Sequence, residues 1–287
     1  MVSLWNERFH AVPVATTRRP AGVALFGVER LDLREVAAPA LSPRDESARD
    51  RVWNAAVQSN PALFDGPVVA CAGLARTGPH TLCLSWARVT YRHYALRRVP
   101  GASALPSLFV NVVQPLDDGR VTAVRMSPTT AAPGRWQLPG GSVEPPPAGV
   151  TLDEEALAAH AARELAEELG IEAAARQLRR WAVTRGENGS VGLTHVAPAL
   201  SEAALRKGFA TAAAAERDQG REPELDGLAL LRSAAELDGL SGPHADYLEP
   251  VISRYTSPSH RVPPPGDADA GRSRSRLSGR QGCEGAA

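Results

Sequence analysis

Three glutamates, Glu164, Glu167 and Glu168, stand at i, i+3 and i+4 in the run Arg163-Glu164-Leu165-Ala166-Glu167-Glu168-Leu169-Gly170-Ile171. At about 100° per residue a helix gathers them into one narrow stripe, while Ala158, Ala162, Leu165 and Leu169 collect on another face. Like charges at this spacing repel and destabilise an isolated helix, so a balancing cation accounts for the arrangement. Oxygen donors alone suit Mg²⁺ or Mn²⁺, which accept a few carboxylates, keep several waters and bridge to phosphate oxygens. The competing reading is a solvated acidic face, common in helices rich in Ala and Glu. Context decides against it. The turn Leu138-Pro139-Gly140-Gly141 lies upstream, where a carbonyl free of side-chain crowding can approach a metal, and the helix stops at Gly170-Ile171.

The surrounding pattern predicts the elements that must hold these acids. Residues 153–169 are dense in Ala, Leu and Glu and end at Gly170, a good helix with a glycine stop. The apolar run at 108–113, then Asp118-Gly119, then Val121-Thr122-Ala123-Val124 predicts a hairpin, and residues 135–138 a third short strand. Asn188-Gly189 marks a second hairpin between strands at 181–185 and 191–197. A helix at 201–217, a strand at 225–231 and a final helix at 245–255 follow. Upstream, residues 22–33 read as a strand, 46–58 as a helix after Pro43, and 82–94 as strand-like with aromatics. Strands alternating with helices predict an α/β fold with helices packed on a mixed sheet.

The acidic helix and its flanks resemble the Nudix box: Gly, five residues, Glu, seven residues, then Arg-Glu-hydrophobic-x-Glu-Glu-x-Gly-hydrophobic. Gly149, Glu155, Arg163, Glu164, Leu165, Glu167, Glu168, Gly170 and Ile171 fill every fixed position. Family members usually place the first glycine inside the Leu-Pro-Gly-Gly turn. Here Gly141 lies fourteen residues upstream of Glu155, with Pro145-Pro146-Pro147 between them as a loop insertion. Gly141 and Gly149 therefore compete for one role, and the metal-facing carbonyl is assigned to Gly141 because its turn sits at a strand end.

The resemblance implies a Nudix-type α/β/α sandwich with a mixed β-sheet and hydrolysis of a nucleoside diphosphate linked to another group. It further implies that Glu164, Glu167 and Glu168 hold Mg²⁺ or Mn²⁺, that Arg163 orients the carboxylates by a charge-assisted fork, and that Glu155 supports them from behind. The general base varies within the family and often lies beyond the box; Glu224, Glu187 or a box glutamate such as Glu167 is the candidate.

A second likeness concerns the substrate. Arg51-Val52-Trp53, Asn60-Pro61-Ala62-Leu63-Phe64-Asp65-Gly66, Leu84-Ser85-Trp86 and Tyr91-Arg92, with Arg185, Glu187 and Glu224 in the same order, are similar to the animal UDP-glucose pyrophosphatase branch of the superfamily. This implies cleavage of a UDP-glucose-like nucleotide sugar to a nucleoside monophosphate and a sugar phosphate. Aromatics such as Trp53, Phe64, Trp86, Tyr91 and Tyr94 could then stack on a base or sugar, with Arg92 or Arg185 near a phosphate. Alternatives are an ADP-ribose or nucleoside triphosphate hydrolase, or a non-catalytic nucleotide-sensing regulator. The complete box and the lack of a basic helical region favour catalysis.

Composition sets the limits. The chain has 287 residues, 43% hydrophobic and 22% charged, with 32 basic against 32 acidic side chains, so it has no excess positive charge to collect a nucleic acid polymer or an anionic membrane. The expected partner is a small-molecule nucleotide substrate, and a homodimer is compatible with the sequence. Cys71, Cys83 and Cys283 make neither a metal knuckle nor a disulfide framework, and residues 1–12 lack a signal-peptide core, so a cytoplasmic location is expected. The organisation expected is an N-terminal extension or small subdomain at 1–104 that could contact substrate, a catalytic domain at 105–256, and a disordered tail at 257–287 rich in Pro, Gly, Ser and Arg.

Overall fold

Asp153 opens the acidic helix α2 (Glu154–Leu169) as an N-cap, its side chain accepting the Ala156 amide at 2.8 Å. Gly170 closes it in the left-handed conformation, at φ 62°. A second constraint holds this glycine. A Cβ at Gly170 would stand 2.5 Å from the Gly208 carbonyl oxygen of α3 (Glu202–Asp218), which is itself N-capped by Ser201. The two helices thus meet backbone to backbone. Along α2, Leu157, Ala161, Leu165 and Leu169 are buried at a helical period, and His160 and Glu168 are buried with them. Each leucine contributes roughly 1.5–3 kcal/mol by leaving water, enough together to carry one costly carboxylate inside.

The computed structural model describes residues 22–257. The tail expected beyond them, with its Arg-Ser run at 272–276 and Cys283, and the N-terminal residues 1–12 lie outside the described residues. Among the described residues the remaining elements are β1 (Ala24–Phe26), β2 (Arg30–Glu35), α1 (Pro43–Ser59), β3 (Pro67–Gly78), β4 (Thr81–Thr90), β5 (Leu108–Val113), β6 (Val121–Met126), β7 (Trp136–Gln137), β8 (Arg179–Arg185), β9 (Val191–Val196), β10 (Leu225–Leu231) and α4 (Leu248–Thr256). Short 3₁₀ helices at Tyr91–Arg98, Ala175–Gln177 and Ala234–Gly239 complete them. No described helix is long and apolar enough to cross a membrane.

A four-stranded sheet runs β1-β8-β9-β5, antiparallel except for the parallel pair β5 and β9. An antiparallel sheet runs β10-β6-β7, and a third runs β2-β4-β3 with β2 parallel to β4. The fold is therefore mixed α/β with mixed sheets, as expected. The turn after β7 lies along the free edge of β5: Val112 donates to the Pro139 carbonyl at 2.9 Å, and Val110 to that of Gly141 at 3.0 Å. This seam delivers the glycines to the end of α2.

The hairpin expected over residues 108–126 does not form as a pair of neighbouring strands. β5 and β6 lie in different sheets and meet only beside the turn, at a Pro115–Val121 bridge. Both strands are buried almost throughout, so distant partners, β9 for one and β10 for the other, compete successfully with the local pairing. The Asn188-Gly189 hairpin does form, with Gly189 at φ 80°. The expected strand at 22–33 is divided into β1 and β2, which enter different sheets.

The segment before residue 105 is woven into the rest. β1 pairs with β8, Val69 donates to the Val143 carbonyl, and Leu31, Leu82, Leu84 and Trp86 share one core with Leu157 and Leu165 of α2. A second core joins Val113, Val121, Trp136 and Leu138 to Tyr247, Val251 and Ile252 around α4.

Candidate active site

The glutamate stripe is graded from inside to outside rather than presented uniformly. Glu168 is 7% exposed and its Oε2 accepts the Gly140 amide at 2.7 Å. Burial, then the nearby Glu164 and Glu224, hold its carboxyl well above the usual range, against the opposing hydrogen bond from Gly140. Glu164 has a 17% exposed side chain, and its Oε1 lies 2.8 Å from His160 Nε2, off the hydrogen-bond line. The other imidazole nitrogen is 3.0 Å from Arg163 Nη2. A guanidinium only donates, so Nδ1 of His160 is the acceptor in that contact.

Glu167 has a 65% exposed side chain, and partial desolvation followed by Glu164 raises its carboxyl. Arg163 reaches outward, with Nε 3.9 Å from Glu167 and Nη2 3.3 Å from Glu144 in the Pro-rich loop. Gly141 lies flush against Glu164: a Cβ there would be 2.6 Å from Oε2. Its carbonyl accepts the Val110 amide. Gly149 sits at φ 81° in a turn with nothing within 4 Å of its added Cβ, away from the acids.

Glu224 approaches from the other side, immediately before β10. Its amide donates to Glu216 at 3.1 Å and its carbonyl accepts from Ser127 at 2.8 Å. The carboxyl is open to water yet set in a concave wall. That confinement, then Glu164, Glu216 and Glu167, push it up to about 6, with Arg221 opposing. Glu164, Glu167, Glu168 and Glu224 therefore act on one another electrostatically. Among the described residues no group of three or more His, Cys, Asp or Glu is drawn together as a finished metal cage. The donor chemistry nonetheless fits a hard divalent cation: all-oxygen ligands, mutual repulsion that a cation relieves, and a glycine backbone that crowds nothing.

A cleft of about 570 Å³ opens beside Gly140, Gly141 and Glu224. Tyr91 and Tyr94 form one wall, ring edge to face at 5.6 Å. Phe109 and Tyr247, 5.3 Å apart, form another. Arg97, Arg135 and Gln137 supply polar groups, and Asn188 and Ser190 do so from the β8–β9 turn. Tyr247 is brought there by β7, whose free edge pairs with residues 243–245 through Trp136.

The remaining residues singled out from the sequence lie apart. Trp86 is 1% exposed and belongs to the core under α2, so it packs there and presents no face to the cleft. Arg92 is ion-paired with Asp65 at 3.0 Å and reaches Asp50 at 3.8 Å, and Arg185 ends β8 between Ala24 and Val191; neither lines the cleft. Glu155 is exposed in the first turn of α2, nine residues or about 13 Å along the axis from Glu164. Glu187 is exposed and also off the cleft lining, its amide held by Asp246 at 2.8 Å.

Sequence reasoning did not select His160, Glu144, Arg135, Arg97 or Tyr247. His160 stands at i−4 from Glu164, and that spacing was a usable signal. The others carry no local signal, because the contacts that matter are made across the sheets.

Residues 108–245 match the family model of the NUDIX domain. A search of curated proteins finds no match. Solved structures similar to this chain include a MutT/nudix family protein from Enterococcus faecalis, at 19% identity and TM-score 0.25, with 38% of this chain and 43% of that chain covered. A NUDIX hydrolase from Nitrosomonas europaea aligns at 17% identity and TM-score 0.27, covering 52% of this chain and 81% of that one. A Nudix hydrolase from M. smegmatis, RenU, aligns at 16% identity and TM-score 0.28, covering 52% and 84%. The chain thus spans less than half the length of the first of these.

Proposed function

We propose that this chain, with its NUDIX domain at residues 108–245, is a divalent-metal-dependent pyrophosphohydrolase. Its substrate in this reading is a nucleoside diphosphate sugar of the UDP-glucose kind, cleaved to a nucleoside monophosphate and a sugar phosphate. The observation that carries the reading is the meeting of Glu164, Glu168 and Glu224, where Glu164 helps to raise the carboxyls of the other two, beside Gly140 and Gly141 at one end of an aromatic cleft.

Glu164, Glu167 and Glu168 would hold Mg²⁺ or Mn²⁺, which when bound neutralises phosphate charge and eases ionisation of water. His160 and Arg163 flank Glu164 and Glu167 on α2 and help to orient them. Glu224 is the candidate to take the proton of the attacking water, since it lines the cleft and shares the field of Glu164 and Glu167. Tyr91, Tyr94 and Phe109 offer ring faces to a base or sugar.

Incubation with UDP-glucose and Mg²⁺ should release UMP and glucose 1-phosphate, and chelation should stop it. Parallel reactions with ADP-ribose and nucleoside triphosphates separate the substrate classes. Absence of release from every nucleotide sugar would remove the substrate assignment.

A further inference from the structure

Several arginines outside the cleft are matched to acids: Arg92 to Asp65, Arg120 to Asp118 and Glu202, Arg125 to Asp226, Arg180 to Glu154. Arg135 is not. It is half-buried in the cleft wall, and among the described residues its guanidinium has one hydrogen bond, from Nη2 to the neutral Gln137 Oε1 at 2.7 Å. Its Nε is shut off from water without a partner. Among the described residues no carboxylate stands within ion-pair reach of it. Arg97, on the same cleft, rests 4.6 Å above the Tyr94 ring and likewise has no acid beside it. A guanidinium that gives up its hydration and finds no counter-charge is unfavourable unless an anion completes the site. The fork of N–H groups matches phosphate oxygens bidentately.

The location argues the same way. Tyr91, Arg97, Arg135, Glu224 and Tyr247 line one cleft, and Tyr91 feels the charges of Arg135, Arg97 and Glu224 together. Basic and acidic groups therefore share the wall of a single cleft.

We infer that Arg135, assisted by Arg97, is the phosphate-binding residue of the cleft, gripping the oxygens of a substrate phosphate that the acid cluster does not hold. This rests on the pyrophosphohydrolase reading and adds to it a metal-independent anion subsite that sets specificity for the phosphorylated part of the ligand.

Calorimetric titrations in excess EDTA test it, with UMP, uridine and inorganic pyrophosphate as probes and wild type, Arg135→Gln and Arg97→Gln as proteins. Wild type should bind UMP or pyrophosphate at least about tenfold more tightly than uridine, the scale of a charge-assisted contact. Arg135→Gln should erase that preference, and Arg97→Gln should reduce it by about threefold. Unchanged Mn²⁺ binding and unfolding midpoint in Arg135→Gln would show that fold and acid cluster are intact. A preference that survives Arg135→Gln, or one that wild type never shows, overturns the inference. If the hydrolysis reading alone is wrong, the metal-free preference persists while UMP release with Mg²⁺ is absent.

Discussion

The Gly140 amide donates to Glu168 Oε2 at 2.7 Å, tying the glycine turn to the innermost acid of α2. The bond fixes the carboxyl but does not offset its burial beside Glu164 and Glu224, which keeps its pKa well above the ordinary value. Without metal, Glu168 thus behaves toward neutrality, and an amide mimics that form while still accepting from Gly140. Glu168→Gln should leave the metal-free protein as stable as wild type or slightly more so. Divalent-cation affinity and UDP-glucose turnover should fall about 100-fold or more, at the upper end of what losing metal-site support costs. Thermal unfolding in EDTA and Mn²⁺ titration check the two halves separately.

Gly208 gives a prediction whose sign is not obvious. In a helix interior Gly→Ala normally stabilises by about 0.5–1 kcal/mol. Here an added Cβ would strike the Leu169 carbonyl oxygen, which belongs to the backbone and cannot rotate aside, and it would stand 3.1 Å from the Gly170 carbonyl oxygen. Overpacking of this kind costs about 1–3 kcal/mol and exceeds the propensity gain. Gly208→Ala should lower stability by about 1–2 kcal/mol in urea unfolding; a stabilised variant would mean that the α2–α3 contact is looser than described.

His195 supplies a pH dependence. It is 2% exposed, and burial lowers its pKa from 6.5 to about 4. Between those values the unfolded chain binds a proton that the folded one refuses, so this contribution is complete above pH 6.5 and is lost as pH falls toward 4. The shift corresponds to about 3 kcal/mol. Glu168 and Glu224, raised rather than lowered, act in the opposite sense and gain stability as pH falls. Comparing wild type with His195→Gln isolates the histidine. The variant should show a flatter fall in denaturation midpoint from pH 6.5 to 4, and identical slopes would contradict the assignment.

What could be read from the chain was local. Asp153 and Gly170 bracket α2 as its sequence indicated, and β10 occupies the expected residues. The 3.6-residue period also contained more than was taken from it: Leu157, Ala161 and Leu165 lead on to Glu168, so the apolar stripe itself puts one glutamate inside. β3 was not anticipated, because its Ala, Gly and Arg content lacks the alternation that marks a strand. The cleft was the least legible part. Tyr91 and Tyr94 are among the aromatics the sequence offers for stacking, but Phe109, Arg135, Asn188 and Tyr247 come from four further segments, brought together by pairings across long stretches of chain.

Two loop acids were candidates for the base, and their surroundings now separate them. Glu224 lines the cleft, shares the field of Glu164 and Glu167, and is pushed up to about 6. Glu187 is exposed beside a turn that Asp246 closes, with its side chain off the lining. Removing a general base typically costs 10²- to 10⁴-fold in rate. Glu224→Gln should therefore lower kcat about 100-fold or more while changing KM little, and Glu187→Gln should stay within about twofold of wild type. Because Glu164 and Glu167 contribute to the raised pKa, a cation bound among them should move the acid limb of the pH–rate profile below 6, toward the ordinary carboxylate value. The limb should vanish in Glu224→Gln. An unchanged limb in that variant, or a large loss in Glu187→Gln, would transfer the role to another acid.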